Sequence, residues 1–130
     1  RRGATLLNEF KAAGAVVAIA SDNTRDPFYA YGDLDGVEVL REGARILQFD
    51  HPQDRAWDWV RAVGSAPAAH AGFAYKAVIE VGAPADLVLF RARSWTELNA
   101  RPQHDRIVLR AGKAIDTSLP DYRELDDLME

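Results

Sequence analysis

The chain has no cysteine, which removes a disulfide framework, a thiolate metal site and a Cys nucleophile together. That composition fits a reducing compartment, and the expected location is cytoplasmic. No stretch approaches the roughly 20 apolar residues of a membrane-spanning helix, and no signal-peptide pattern is visible. Basic residues are outnumbered: the net charge is −4, against the basic face that a nucleic-acid partner needs. The three histidines, His51, His70 and His104, form no His-x-His or His-x₃-His pair. Ser21 lacks the Gly-x-Ser-x-Gly elbow of a serine nucleophile. Gly82 to Asp86 lacks the Lys and the glycine spacing of a phosphate loop. The sole Met is Met129, while the chain opens Arg1-Arg2-Gly3. A trimmed start or a piece of a longer protein is therefore expected.

What is present points to an α/β chain. With 130 residues, 48% of them apolar, it can bury a sizeable core. Ala4, Leu7 and Phe10 fall at helical spacing over residues 4–13, and Gly14 suits the C-cap. Ala15 to Ala20 is an unbroken apolar run, which predicts a strand buried on both faces. Residues 21–33 are rich in Asp, Asn, Pro and Gly and predict a loop. Val37, Leu40, Ala44 and Leu47 mark one face of a helix from Leu34 to about Phe49. A second helix is predicted over 53–63, with Ala56, Trp57 and Val60 inward. A third starts at Ser65-Ala66-Pro67, with Ser65 as N-cap, and ends near Gly72. Short strands are predicted at Val78–Val81, Asp86–Arg91, Arg106–Arg110 and Lys113–Ile115, with a hairpin turn around Ala111-Gly112. The acidic tail after Asp116 predicts an exposed short helix beyond Pro120.

The chemistry concentrates just past the apolar run. Ser21 and Asp22 arrive together there, followed by Asn23 and Asp26. An Asp in that place is commonly a turn or cap residue. At the C-terminal mouth of an α/β barrel it is instead a metal ligand or proton carrier. Phe28, Tyr29 and Tyr31 follow, either as packing or as walls for a planar ligand. His51 and His104 read as solvated, and His70 as a packing or capping residue.

The order of these features resembles the C-terminal third of the amidohydrolase superfamily, in its cytosine deaminase branch. Three segments carry the likeness. Arg1-Arg2-Gly3 with the helix to Gly14 is similar to the approach to the last barrel strand. Ser21-Asp22-Asn23-x-x-Asp26-Pro27-Phe28-Tyr29 is similar to the motif after that strand. Val81-Gly82-x-x-Ala85-Asp86-Leu87-Val88-Leu89 resembles a strand of the flanking β-sandwich, and Arg110-Ala-Gly-Lys113 its closing hairpin.

The resemblance implies the last β/α portion of a metal-dependent (β/α)₈ barrel over 1–74, β-sandwich strands over 75–116 and an acidic tail over 117–130. It implies one divalent ion, Zn or Fe, with Asp22 as metal ligand and catalytic acid–base group and the other ligands outside this chain. Asn23 and Phe28 are the implied substrate contacts. Asn23 stands where the family usually has a second Asp, and Phe28 where it often has Trp. The expected reaction is deamination of cytosine or a related amino-substituted heterocycle by metal-activated water, in an intact enzyme that forms homo-oligomers. This chain alone is expected to be inactive. Hydrolysis of a cyclic amide is the alternative reaction, and a non-catalytic β-rich binding module the alternative of another class.

Overall fold

The computed structural model describes residues 3, 5–49, 56–75, 77–118 and 121–129. Helix α1, Leu7–Ala12, is stopped by Gly14 at φ 84. Gly14 N–H donates to Lys11 O and Ala15 N–H to Phe10 O, each at 3.0 Å. This pair of bonds satisfies carbonyls that the helix end would otherwise leave open. Ala4 lies outside the described residues, and Phe10 is half exposed.

Residues 15–20 run extended, as the apolar pattern predicts, but they are not a strand buried on both faces. Val16 is 65% exposed, and no ladder flanks the segment. The physical reason is that a strand needs neighbours, and no described residue lies alongside as one. Beside the Ala15 N–H bond to Phe10 O, Ile19 N–H donates to Ala62 O at 2.9 Å and ties the segment to the helices.

Helix α2, Gly36–Leu47, starts where Asp35 accepts a hydrogen bond from Val37 N–H. Its predicted apolar face holds: Leu40 is buried, and Ala44 and Leu47 pack against the core. Gln48, at φ 58, turns the chain so that Phe49 tucks back beneath Gly43. A 3₁₀ helix, Ala56–Val63, follows and is closed by Gly64. Here the inward face differs from the expected one. Trp59 and Ala62 are buried and Val60 is exposed. The 3₁₀ geometry repeats every three residues rather than every 3.6, which moves the buried stripe to i and i+3. The predicted inward side chains of Ala56 and Trp57 lie outside the described residues, as does His51-Pro52. Phe49 and Trp59 stack at 3.9 Å between ring centroids and 8° between planes. With Leu40 and Ala62 they form the core, flanked by Leu7, Val17, Ile19 and Val63.

Helix α3, Ser65–His70, is capped by Gly64 rather than by the predicted Ser65. Pro67 stands in its first turn, where a missing N–H costs nothing.

The back of the chain is a three-stranded antiparallel sheet, ordered β1-β2-β3. Strands β1, Leu87–Leu89, and β2, Ile107–Arg110, pair Leu87 with Leu109 and Leu89 with Ile107. β3, Lys113–Ala114, joins β2 through Ala111 at φ 47 and Gly112 at φ 77. Two successive positive φ values make the hairpin turn that the sequence predicts. Asp86 pins this turn: its carboxylate accepts from Ala111 N–H at 2.8 Å and pairs with Arg110 at 3.3 Å. Val78–Val81 does not form the predicted strand. Ile79 is 90% exposed and no described strand lies beside it.

Between β1 and β2 the chain forms a further helix, for which the sequence analysis offers no prediction. Helix α4, Trp95–Ala100, begins at Ser94, whose hydroxyl accepts from Glu97 N–H at 3.2 Å. Its end is closed by buried Gln103, whose amide donates to Glu97 O at 2.8 Å and Leu98 O at 3.3 Å. Beyond the sheet, Tyr122–Leu128 forms an exposed 3₁₀ helix, as the acidic tail predicts. No helix among the described residues is long and apolar enough to cross a membrane.

Candidate active site

The extended segment delivers Asp22 to its C-terminal end. Asp22 sits at φ 60, a left-handed conformation that Asp tolerates better than most residues. Its Oδ1 accepts from Asn23 N–H at 2.8 Å, and its backbone oxygen receives Thr24 Oγ1 at 3.4 Å. The second carboxylate oxygen of Asp22 has no partner among the described residues.

The loop beyond is organised around Asp26. Its Oδ2 accepts from Asn23 Nδ2 at 2.7 Å, and its Oδ1 from Phe28 N–H at 2.9 Å and Tyr29 N–H at 3.0 Å. The Asn23 amide foremost, with the Tyr29 and Phe28 amides, holds the Asp26 carboxyl below its ordinary range against the opposing push of burial. Backbone bonds Arg25 N–H to Tyr31 O and Asp26 N–H to Tyr29 O fold the loop back on itself. Arg25 fastens the return limb, with Nε donating to Gly32 O at 3.2 Å and Nη2 lying 3.6 Å from Asp33.

An open cleft of about 730 Å³ lies between this segment and the outer face of α2. Asp22 lines it, with Asp33, Glu38 and Glu42 as further carboxylates and Tyr29 as its aromatic wall. Tyr29 is held edge-on by Tyr31, 5.6 Å between centroids at 80°. The three predicted site residues therefore part company. Asp22 faces the cleft. Asn23 is committed to Asp26 and does not line it. Phe28 is 83% exposed and does not line it either. Sequence reasoning missed Glu38 and Glu42; their i, i+4 spacing puts them on one helix face.

The chemistry of the donor set fits one contributed metal ligand. Asp22 offers a carboxylate oxygen without a partner among the described residues, but these contain no group of three His, Cys, Asp or Glu side chains placed to hold an ion. His70 and His104 are both exposed and neither lines the cleft.

No family model matches the chain, and no solved structure matches it. Over 128 residues it is 62% identical to a protein named pterin deaminase from Rhizobium rhizogenes (strain K84), which covers 98% of this chain and 29% of that protein. The chain thus spans less than a third of the length of this curated relative.

Proposed function

We propose that this chain is the C-terminal portion of a metal-dependent hydrolytic deaminase, and that its ring substrate is a pterin rather than cytosine. The observation that carries the reading is the 62% identity to a pterin deaminase, sustained across nearly the whole chain. The motif around Asp22 argues for the same reaction type, water replacing an exocyclic amine with release of ammonia. It speaks less to the ring, and the relative's name is what favours a pterin over cytosine.

In this reading residues 15–20 are the last strand of a (β/α)₈ barrel and the three-stranded sheet is part of a β-sandwich. Exposed Val16, Phe73, Ile79 and Val81 support it, because apolar surface of this kind is ordinarily covered by further chain. Asp22 then holds one corner of a Zn or Fe site whose other ligands lie elsewhere in the polypeptide. A divalent ion there supplies a Lewis acid that makes hydroxide available near neutral pH. Asp22 contributes its second carboxylate oxygen at the cleft, Tyr29 presents a face to a flat ring, and Asp26 keeps the intervening loop folded.

The test is ammonia release by the purified protein that carries this chain, supplied in turn with pterin, cytosine and a cyclic amide. Turnover of pterin, lost with a chelator and restored by metal, is the expected result. Turnover of cytosine at equal or higher kcat/KM sinks the substrate assignment. Hydrolysis of the cyclic amide without any deamination sinks the reaction.

A further inference from the structure

The loop that carries Asp22 is anchored from a distant part of the sequence. Its last residues, Asp33 and Leu34, lead directly into Asp35, the N-cap of α2. Asp35 is gripped by Arg106, 71 residues further on, through two parallel hydrogen bonds: Nη1 to Oδ1 at 2.9 Å and Nη2 to Oδ2 at 2.6 Å. Both side chains are about four-fifths covered, at 18% and 19% exposure. Arg106 is itself immobilised, since Nε donates to Gln103 O and the guanidinium lies 5.4 Å from the centre of the Phe90 ring. The loop's return limb is in turn tied back by Arg25, which bonds Gly32 O and pairs with Asp33. Helix capping needs only one oxygen at position 35. The fork needs a full carboxylate, and a bidentate pair fixes orientation as well as distance.

We infer that Arg106 is a positioning residue: through Asp35 it fixes the return limb of the 21–33 loop, so that the β-module sets the place of Asp22 in the cleft. The role in catalysis rests on the deaminase reading above, whereas the clamp on the loop does not. The conservative change Asp35→Asn keeps an oxygen to cap α2 and removes the fork, so it separates the two duties of this side chain.

The experiment uses the full polypeptide with Asp35→Asn, Arg106→Met, Arg106→Lys and the Asp35→Asn/Arg106→Met double variant. Two readouts are taken: steady-state pterin deamination, and hydrogen exchange at backbone amides 23–34. Expected is a fall in kcat of about tenfold to a hundredfold, with KM changed less than threefold, as befits a small misplacement of a reacting group. Arg106→Lys regains part of the loss, and the double variant is no worse than either single one. Exchange at 23–34 accelerates, while the amides of α2 beyond its first turn do not change. Unchanged exchange across 23–34 overturns the clamp, whatever the activity. Accelerated exchange with unaltered kcat leaves the anchor and overturns the positioning role. If the unmodified protein deaminates nothing, the deaminase reading fails and the exchange arm still decides the clamp.

Discussion

Gly43 lies directly against Phe49. A Cβ at position 43 would meet Phe49 Cδ2 at 2.9 Å, overlap Cε2, and come within 3.3 Å of Ile19 Cδ1. Phe49 cannot swing aside, because its other face is stacked on buried Trp59. Gly43→Ala improves helix propensity by about 1 kcal/mol, yet overpacking of a tight core costs about 1–3 kcal/mol. The steric cost prevails, so the variant lowers the thermal midpoint. An unchanged or higher midpoint would mean that the core yields more readily than this stacking implies.

Asp22 contributes little to the fold and, on the proposed function, much to the chemistry. It is exposed, and among the described residues its carboxylate accepts only a local bond from Asn23 N–H. Asp22→Ala therefore shifts stability by less than about 1 kcal/mol while abolishing deamination and lowering bound metal. Circular dichroism, metal analysis and ammonia release on one preparation check all three. Ordinary turnover with metal still bound would remove Asp22 from the site.

The Asp35–Arg106 pair makes stability depend on acid. Burial works to raise the Asp35 carboxyl, but the hydrogen bond from Arg106, then that from Val37 N–H and the Arg106 charge, outweigh it and hold it below its ordinary range. A carboxyl lowered in the folded state contributes stability that is present above its unfolded value and lost as pH falls through the folded one. Arg106 is held charged beyond its ordinary range by the hydrogen bonds it donates to Asp35, with burial opposing and the charges of Asp35 and Asp33 assisting. The pair therefore has no accessible loss at alkaline pH. Stability against unfolding, measured from pH 6 to pH 3, is expected to fall more steeply in the unmodified protein than in Asp35→Asn. Parallel curves for the two would show that the pair carries no acid-linked stability.

Gln103 is buried, and its amide closes the carbonyl end of α4. Gln103→Ala leaves Glu97 O and Leu98 O without this donor, a cost of about 1–3 kcal/mol. Faster exchange at the amides of α4, with β2 and β3 unchanged, is the expected signature. If α4 keeps its protection, water replaces the amide at little cost.

The parts of the fold legible in the sequence are those fixed by near neighbours in the chain. Gly14 ends α1 because the left-handed residue and its two bonds are local. The spacing of Leu40, Ala44 and Leu47 gives the buried face of α2. Ala111-Gly112 makes a two-residue turn wherever two strands meet it. In the candidate site, the presence of Asp22 just beyond an extended apolar segment was readable for the same reason.

Properties that depend on partners distant in sequence were not readable. Ala15–Ala20 is apolar enough for a buried strand, but pairing needs a neighbour that its own residues do not supply. The inward face of residues 56–63 depends on 3₁₀ rather than α winding, so Trp59 became the core residue. That the Asn23 amide bonds Asp26, and that neither Asn23 nor Phe28 lines the cleft with Asp22, carries no mark in the order of residues. The sequence by itself determined where α1 ends, where the Ala111-Gly112 turn falls and where the candidate carboxylate stands, because each is set by bonds within a few residues. The tertiary structure alone decided which side chains share the cleft and that Arg106 holds Asp35, because those relations join residues whose separation along the chain carries no local signal.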